Sequence, residues 1–357
     1  MNRDCRARRR GTGVPAVIPG WKPGLPILSR LRRLATKAYE IRGIKLLCAW
    51  SLAALFLCLQ PPGPTAFAEA EAEDKAVAFT FERLPAMSPM GYWRPREISR
   101  LILRALDRHK VPATGFVIEE KIDDDTSTYF VLVDWAEASH GLGSNTYAYV
   151  DLHELSADDF LQHIADGQKY LRRAARIKRI NFRYLRFPLL HEGDSPSKKK
   201  EVARRLRNGG YTLAPVTIKT SDHSFNRPFL ELESRSEEAE LLGDRFVEHI
   251  RDCLDYAESQ SEKVFGRQIR HILQLHAGIA TAMHLDRVIQ LFQERGYRFI
   301  TVEEALEDPL YESEETYAGP HGLTFTDRVA DTRGIPYDPS VGEFQLGEVE
   351  RLLGGRR

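Results

Sequence analysis

Short runs of consecutive apolar residues alternate along this chain with longer stretches in which apolar residues return every three or four positions, the pattern of strands alternating with helices. Residues 76–81 (AVAFTF) are apolar, β-branched or aromatic, and read as a buried strand. Across 95–109, Ile98, Leu101, Ile102 and Ala105 share one helical face behind Pro95, a residue suited to a helix start. A strand at 113–118, a helix near 129–139 and a short strand-like run at 141–146 follow. Ser156 then opens a helix with Asp158 and Asp159 in its first turn, where the dipole favours carboxylates, and its body carries Phe160, Ile164, Tyr170 and Leu171. The second half repeats the alternation, with a strand at 184–188, a helix at 198–207 stopped by Gly209 and Gly210, and a strand at 211–218. A long charged helix or helix pair (237–265) and a strand (270–276) come next. An amphipathic helix carrying Leu285, Val288, Ile289 and Phe292, closed by Gly296, leads to a strand (298–301) and a short helix (302–306). Such alternation implies an α/β chain with a parallel sheet, and about seven strand-helix units favour a (β/α) barrel over an open sheet. From 307 the periodicity fades, so residues 309–357, rich in Gly, Pro and acidic groups, are expected to form a peripheral, partly irregular tail.

Charge divides the chain further. The 51 basic and 51 acidic residues cancel, but the zero is a sum of unlike parts. Residues 1–45 hold 12 Lys and Arg against Asp4 and Glu40, a net +10, and 46–68 hold no charge. The apolar run at 46–59 (LLCAWSLAALFLCL) is shorter than the roughly 20 residues that span a bilayer. A basic stretch, this run, the Pro61-Pro62 break and Ala66-Phe67-Ala68 follow the order of a secretory signal peptide. Residues 1–68 are therefore expected to be a leader cleaved near Ala68, giving a protein exported to the periplasm or the extracellular space and not inserted in the membrane. An uncleaved membrane signal anchor is the alternative. The basic leader is longer than usual, so the true start could lie downstream of Met1. Residues 69–75 read as a linker and 76–308 as the barrel. From Glu69 onward 39 basic residues face 49 acidic ones, a net −10 that argues against a nucleic-acid partner. Cys253 is the one cysteine beyond the leader, which excludes a disulfide framework and a cysteine-based metal site there.

Function in an α/β barrel gathers at the carboxyl ends of the strands. Those ends carry Glu82 and Arg83, residues 145–149, Arg186 and Pro188, residues 219–222, and His276. The blocks around them are TFERLP (80–85), LGSNTYAYVDL (142–152), LRFPLLHEG (185–193) and LQLH (273–276), with GYRFITVEE (296–304) closing the set. In order and spacing they resemble the polysaccharide deacetylase family, the NodB-homology enzymes of carbohydrate esterase family four, over about 76–308. The resemblance implies a distorted (β/α) barrel that removes acetyl groups from N-acetylated glycans, cell-envelope polysaccharides among them, with one divalent metal, commonly zinc.

By the same resemblance, Glu82 and Arg83 stand where the family has two aspartates, a general base and a metal ligand, and Asn145 and Tyr149 stand where it has two metal-binding histidines. Arg186 matches the arginine that tunes the catalytic carboxylate, Pro188 the proline of that block, His276 the general acid, and Asp222 the second aspartate of the fourth block. All three metal ligands are thus replaced. Asn145 offers a neutral amide, Tyr149 would have to ionise from a pKa of about 10, and Arg83 is a permanent cation. Held about 4 Å from a divalent ion at an effective dielectric near 20, that cation repels by roughly 8 kcal/mol. The implied protein is a carbohydrate-binding pseudo-deacetylase without a metal cofactor, with Arg83, Asn145, Tyr149 and Pro188 facing the glycan. The alternative is an active hydrolase of N-acetyl bonds, with Glu82 as base and His276 as acid, its zinc or other divalent metal displaced or absent. Plainer readings stand beside these: Glu82 and Arg83 as a local charge pair, Arg186 as a loop-holding ion pair, His276 as a hydrogen-bonded strand end, residues 198–200 as a solvated helix face, and Asp151, His153 and His140 as scattered loop residues rather than a displaced metal site.

Overall fold

The computed structural model describes residues 75–343, apart from Pro89 and residues 233–235. The chain divides into two units, 1–68 and 69–357; the expected leader and its cleavage point lie outside the described residues, as does the end of the chain from 344. In chain order the elements are β1 (Ala76–Leu84), α1 (Pro95–His109), β2 (Ala113–Val117), α2 (Glu120–Asp124), α3 (Tyr129–Glu137), β3 (Gly141–Ser144), α4 (Ala157–Asp166), α5 (Lys169–Lys178), β4 (Tyr184–Leu185), α6 (Pro196–Asn208), β5 (Thr212–Leu213), α7 (Asn226–Glu231), α8 (Glu237–Phe265), β6 (His271–His276), α9 (Ile279–Glu294), β7 (Arg298–Ile300), α10 (Val302–Leu306) and α11 (Phe325–Arg333). Among the described residues no helix is long and apolar enough to cross a membrane.

All strand pairings are parallel, in the order β5-β4-β3-β2-β1-β6, with β7 also on β1. The segment leaving β5 curls this sheet round. Ala214 N donates to Leu185 O of β4 at 2.9 Å, and four residues later Ile218 N donates to Ile272 O of β6 at 3.2 Å. One stretch of chain therefore joins the two edges into a distorted barrel. Both faces of β1 are covered, which is why its sequence is almost wholly apolar. Phe79 and Phe81 point outward, with ring centroids 5.2 Å from Phe292 and 5.6 Å from Trp135 respectively. Ala76 and Ala78 face a narrow interior shared with Phe116, Tyr184, Ala214 and Ile272.

Three expectations need correcting. The helix opened by Ser156 is two helices, α4 and α5. Tyr147 N donates to the His163 carbonyl at 3.0 Å beside Gly167, and the Glu119 carboxylate starts α5 anew by accepting from Tyr170 N at 2.9 Å and Leu171 N at 2.7 Å. The strands expected at 184–188 and 211–218 shrink to two residues each, because Pro188 begins a tight turn and the second segment leaves β4 to reach β6. Residues 309–343 are no peripheral tail. Thr324 caps α11 by accepting from Asp327 N, and Phe325, Val329 and Ala330 are buried against Val264 and Ile269. The apolar positions of α11 were present in the sequence, but its polar flanks hid them.

Candidate active site

The carboxyl end of β1 is bulged. Its register with β2 passes from Phe81 opposite Gly115 to Leu84 opposite Val117, one residue more on β1, and Arg83 takes φ 62° in that extra space. A bulge bends a strand and re-aims its side chains, so Glu82 and Arg83 part company. Glu82 is fully buried; its Oε1 accepts from Arg186 Nη1 at 3.1 Å and from Gln274 Nε2 at 2.8 Å, while Oε2 has no partner among the described residues. Arg186, 1% exposed, also donates to Thr80 Oγ1 at 3.3 Å and to the Ala214 carbonyl, and lies 4.5 Å from the Phe116 ring centroid. The partner of Glu82 is therefore Arg186, not its neighbour Arg83.

Directly across the ladder, Glu82 is in register with His276. His276 Nδ1 lies 2.6 Å from Asp222 Oδ1, and its backbone N donates to Oδ2 at 2.8 Å. Thr281 donates to Oδ2 at 2.6 Å and Thr220 to Oδ1 at 3.2 Å. Burial by itself would raise the Asp222 carboxyl, but the His276 charge and these hydrogen bonds reverse that and hold it far below the ordinary carboxylate range. An ionised Asp222 fixes the proton on Nδ1 and leaves Nε2 as the ring atom for chemistry. His223 meets His276 edge to face at 4.7 Å. Burial first, then the charges of His276 and Arg83, push His223 down to about 4, so it is neutral at pH 7.

Arg83 lies over Tyr149, its guanidinium carbon 3.9 Å from the ring centroid. Asn145 ties the wall together: Oδ1 accepts from Arg83 N at 3.2 Å and Nδ2 donates to the Arg186 carbonyl at 3.2 Å. Positive φ recurs here at Arg83, Thr146, Tyr149, Leu189 and Leu190, strain of the kind that gathers at functional sites. Buried Pro188 opens the turn whose Leu189 N reaches Tyr149 Oη at 3.4 Å. Glu82, Arg186, His276 and Asp222 thus form one connected group, and Arg83, Asn145, Tyr149 and Pro188 form the adjoining wall.

The residues at the position implied for a divalent metal do not fit one. Both ends of the Asn145 amide are engaged with backbone, burial and the Glu82 charge raise the Tyr149 phenol, and Arg83 brings fixed positive charge. Two other groups bring ligand atoms within 4.8 Å of one another: Asp222, His223 and His276, and Asp151, His153 and His191. In the first, each Asp222 oxygen already accepts hydrogen bonds. In the second, the two imidazoles stack at 4.0 Å and 6°, so their lone pairs do not converge on one ion, and His191 Nδ1 already meets Asp151 Oδ2 at 2.8 Å. His140 stands apart beside Trp135, at 5.5 Å between centroids. Sequence reasoning missed His191, His223, Gln274 and Lys121. Gln274 was within reach, since it lies two residues before His276 and so on the same face of β6.

Residues 69–214 match the polysaccharide deacetylase family. No curated protein sequence matches the chain. Similar solved structures include a carbohydrate esterase family-four pseudoenzyme from Bacillus anthracis, at 20% identity over 66% of this chain and 66% of that one with a TM-score of 0.42. They also include the peptidoglycan deacetylase PdaC from Bacillus subtilis, at 18% identity over 66% of this chain and 91% of that one with a TM-score of 0.43. A polysaccharide deacetylase from Bacillus cereus matches at 15% identity over 64% of this chain and 91% of that one, with a TM-score of 0.45.

Proposed function

We propose, from the match of residues 69–214 to the polysaccharide deacetylase family, that the chain is an exported glycan-binding protein of the cell envelope that no longer hydrolyses N-acetyl groups. One observation carries the reading: the Arg83 guanidinium is stacked on Tyr149, with the Arg83 backbone N–H donating to Asn145, at a position that the sequence resemblance equates with a metal ligand of the deacetylases. Without a Lewis acid, neither carbonyl polarisation nor an activated water is supplied at that place. What remains is a rigid polar floor, Glu82 and Arg186, beside the Asp222–His276 pair and an aromatic wall, groups suited to the hydroxyls and amide of an N-acetylated sugar. Calorimetric titration with N-acetylglucosamine oligosaccharides, paired with an assay for released acetate, tests this. Binding without acetate is expected; stoichiometric acetate release overturns it.

A second reading has its own support. Glu82 and His276 are neighbours across the β1–β6 ladder, Asp222 fixes the imidazole tautomer, and Glu82 Oε2 is uncommitted. A base and an acid so placed suit attack by water on an amide with protonation of the leaving nitrogen. Under this reading Glu82→Gln and His276→Ala each abolish turnover, whereas unchanged turnover in both excludes it.

A further inference from the structure

Two half-buried cations at the mouth of this site have no acidic partner. Arg83 and Lys121 make no ion pair with any described carboxylate, although the half-buried Lys199 and Lys75 pair with Glu315 and Glu258 and the fully buried Arg186 and Arg328 with Glu82 and Glu192. The Arg83 guanidinium rests on Tyr149, yet its Nε is buried and has no hydrogen-bond partner. Lys121 Nζ donates to the Ala86 carbonyl at 2.7 Å, in the turn that follows Arg83, which brings the two cations to the same end of β1. Burial first and the Arg83 charge second pull the Lys121 ammonium down to about 8, against a smaller opposing pull from the Glu120 charge. His223, neutral and also within the reach of the Arg83 charge, leaves a buried Nδ1 without a partner.

Two like charges left uncompensated in a half-buried site are costly unless something negative joins them. The terminal N–H groups of a guanidinium are donors matched to a planar carboxylate, and an ammonium adds a point charge. We propose that Arg83 and Lys121, backed by Tyr149, form a recognition pocket for the carboxylate of an acidic saccharide, so that the preferred glycan is anionic rather than neutral. The inference rests on the glycan-binding reading above and specifies its ligand class.

The test is calorimetry on the full chain with an oligogalacturonate, an N-acetylglucosamine oligomer of equal length, free acetate and a sugar phosphate. The oligogalacturonate is expected to bind about tenfold or more tighter than the neutral oligomer and to weaken by a similar factor in either Arg83→Gln or Lys121→Met. Its binding is also expected to weaken in roughly 0.5 M salt, while the neutral oligomer is indifferent to salt and to Lys121→Met. Two variants are used so that a fold defect in one does not decide the matter; unchanged melting temperature qualifies each. Equal binding of acidic and neutral oligomers, or loss of both alike in Lys121→Met, overturns the pocket and leaves glycan binding standing. Preference for the sugar phosphate overturns the carboxylate assignment. Binding of free acetate as tight as that of the oligogalacturonate overturns the saccharide part of the proposal.

Discussion

Replacing Arg186 with Met leaves Glu82 as a buried carboxylate with one remaining donor, Gln274. Both partners of the ion pair are out of water, at 1% and 0% side-chain exposure, so breaking it costs on the order of 3–5 kcal/mol. The same change strips the Ala214 carbonyl of its donor, adding roughly 1–3 kcal/mol. Thr80 is little affected, because its hydroxyl still donates to the Leu273 carbonyl at 2.6 Å. The double variant Glu82→Leu with Arg186→Met removes the stranded charge, so only the Ala214 term and some repacking remain. It is therefore expected to be more stable than Arg186→Met alone by about 2–3 kcal/mol, although it carries one more substitution. Urea unfolding followed by circular dichroism measures this, and roughly 2–4 °C of melting temperature per kcal/mol gives a second readout. Additivity of the two single variants within about 0.5 kcal/mol would refute the claim that a buried, mutually dependent pair forms the floor of the site.

Three further outcomes follow from the geometry. Asp222→Asn loses acceptors for His276 and Thr281 and is expected to cost about 2–4 kcal/mol at pH 7. Because the Asp222 pKa is depressed in the folded state, its contribution is complete above the unfolded value of about 3.9 and is lost as pH falls; a gap between wild type and variant that fails to narrow below about pH 4 contradicts the assignment. Burial pushes His140, His223 and His284 down to about 4 and His271 to about 3, so each favours folding fully above the unfolded value of about 6.5. As pH falls from there towards 4 the unfolded chain binds the extra protons, and stability drops by up to about 1.4 kcal/mol per pH unit for each imidazole; a flat stability curve between pH 7 and 5 contradicts it. Finally, the triple variant Arg83→Asp, Asn145→His and Tyr149→His removes the cation and supplies three ligands, and it is expected to bind zinc in calorimetry. A folded triple variant with no zinc affinity shows that these three positions do not converge.

Much of this was legible in the sequence because the signals were local. The apolar runs of β1 and β6, the Pro95 start and the Leu285–Val288–Ile289–Phe292 stripe each specify an element without help from the rest of the chain. Glu82, Arg186, Asp222 and His276 lie at strand ends, where barrel topology alone brings such residues together. The break between α4 and α5 was not legible, since it depends on Glu119, some 50 residues away, capping a helix start. For Glu82, adjacency suggested Arg83 as partner while the resemblance pointed to Arg186; the bulge that parts Glu82 from Arg83 was not legible. Lys121 was overlooked for a related reason: its meaning comes from the Ala86 carbonyl in the turn after β1 and from the Arg83 guanidinium at the end of that strand.

In the function proposed for this protein, Arg83 puts fixed positive charge where the sequence resemblance implies a metal. Metal analysis of the purified protein before and after incubation with zinc, run alongside acetate release from N-acetylglucosamine oligosaccharides, tests it most directly. Well under one equivalent of tightly held metal and no acetate are expected. One equivalent of zinc per chain, with acetate release abolished by a chelator and restored by zinc, would contradict it.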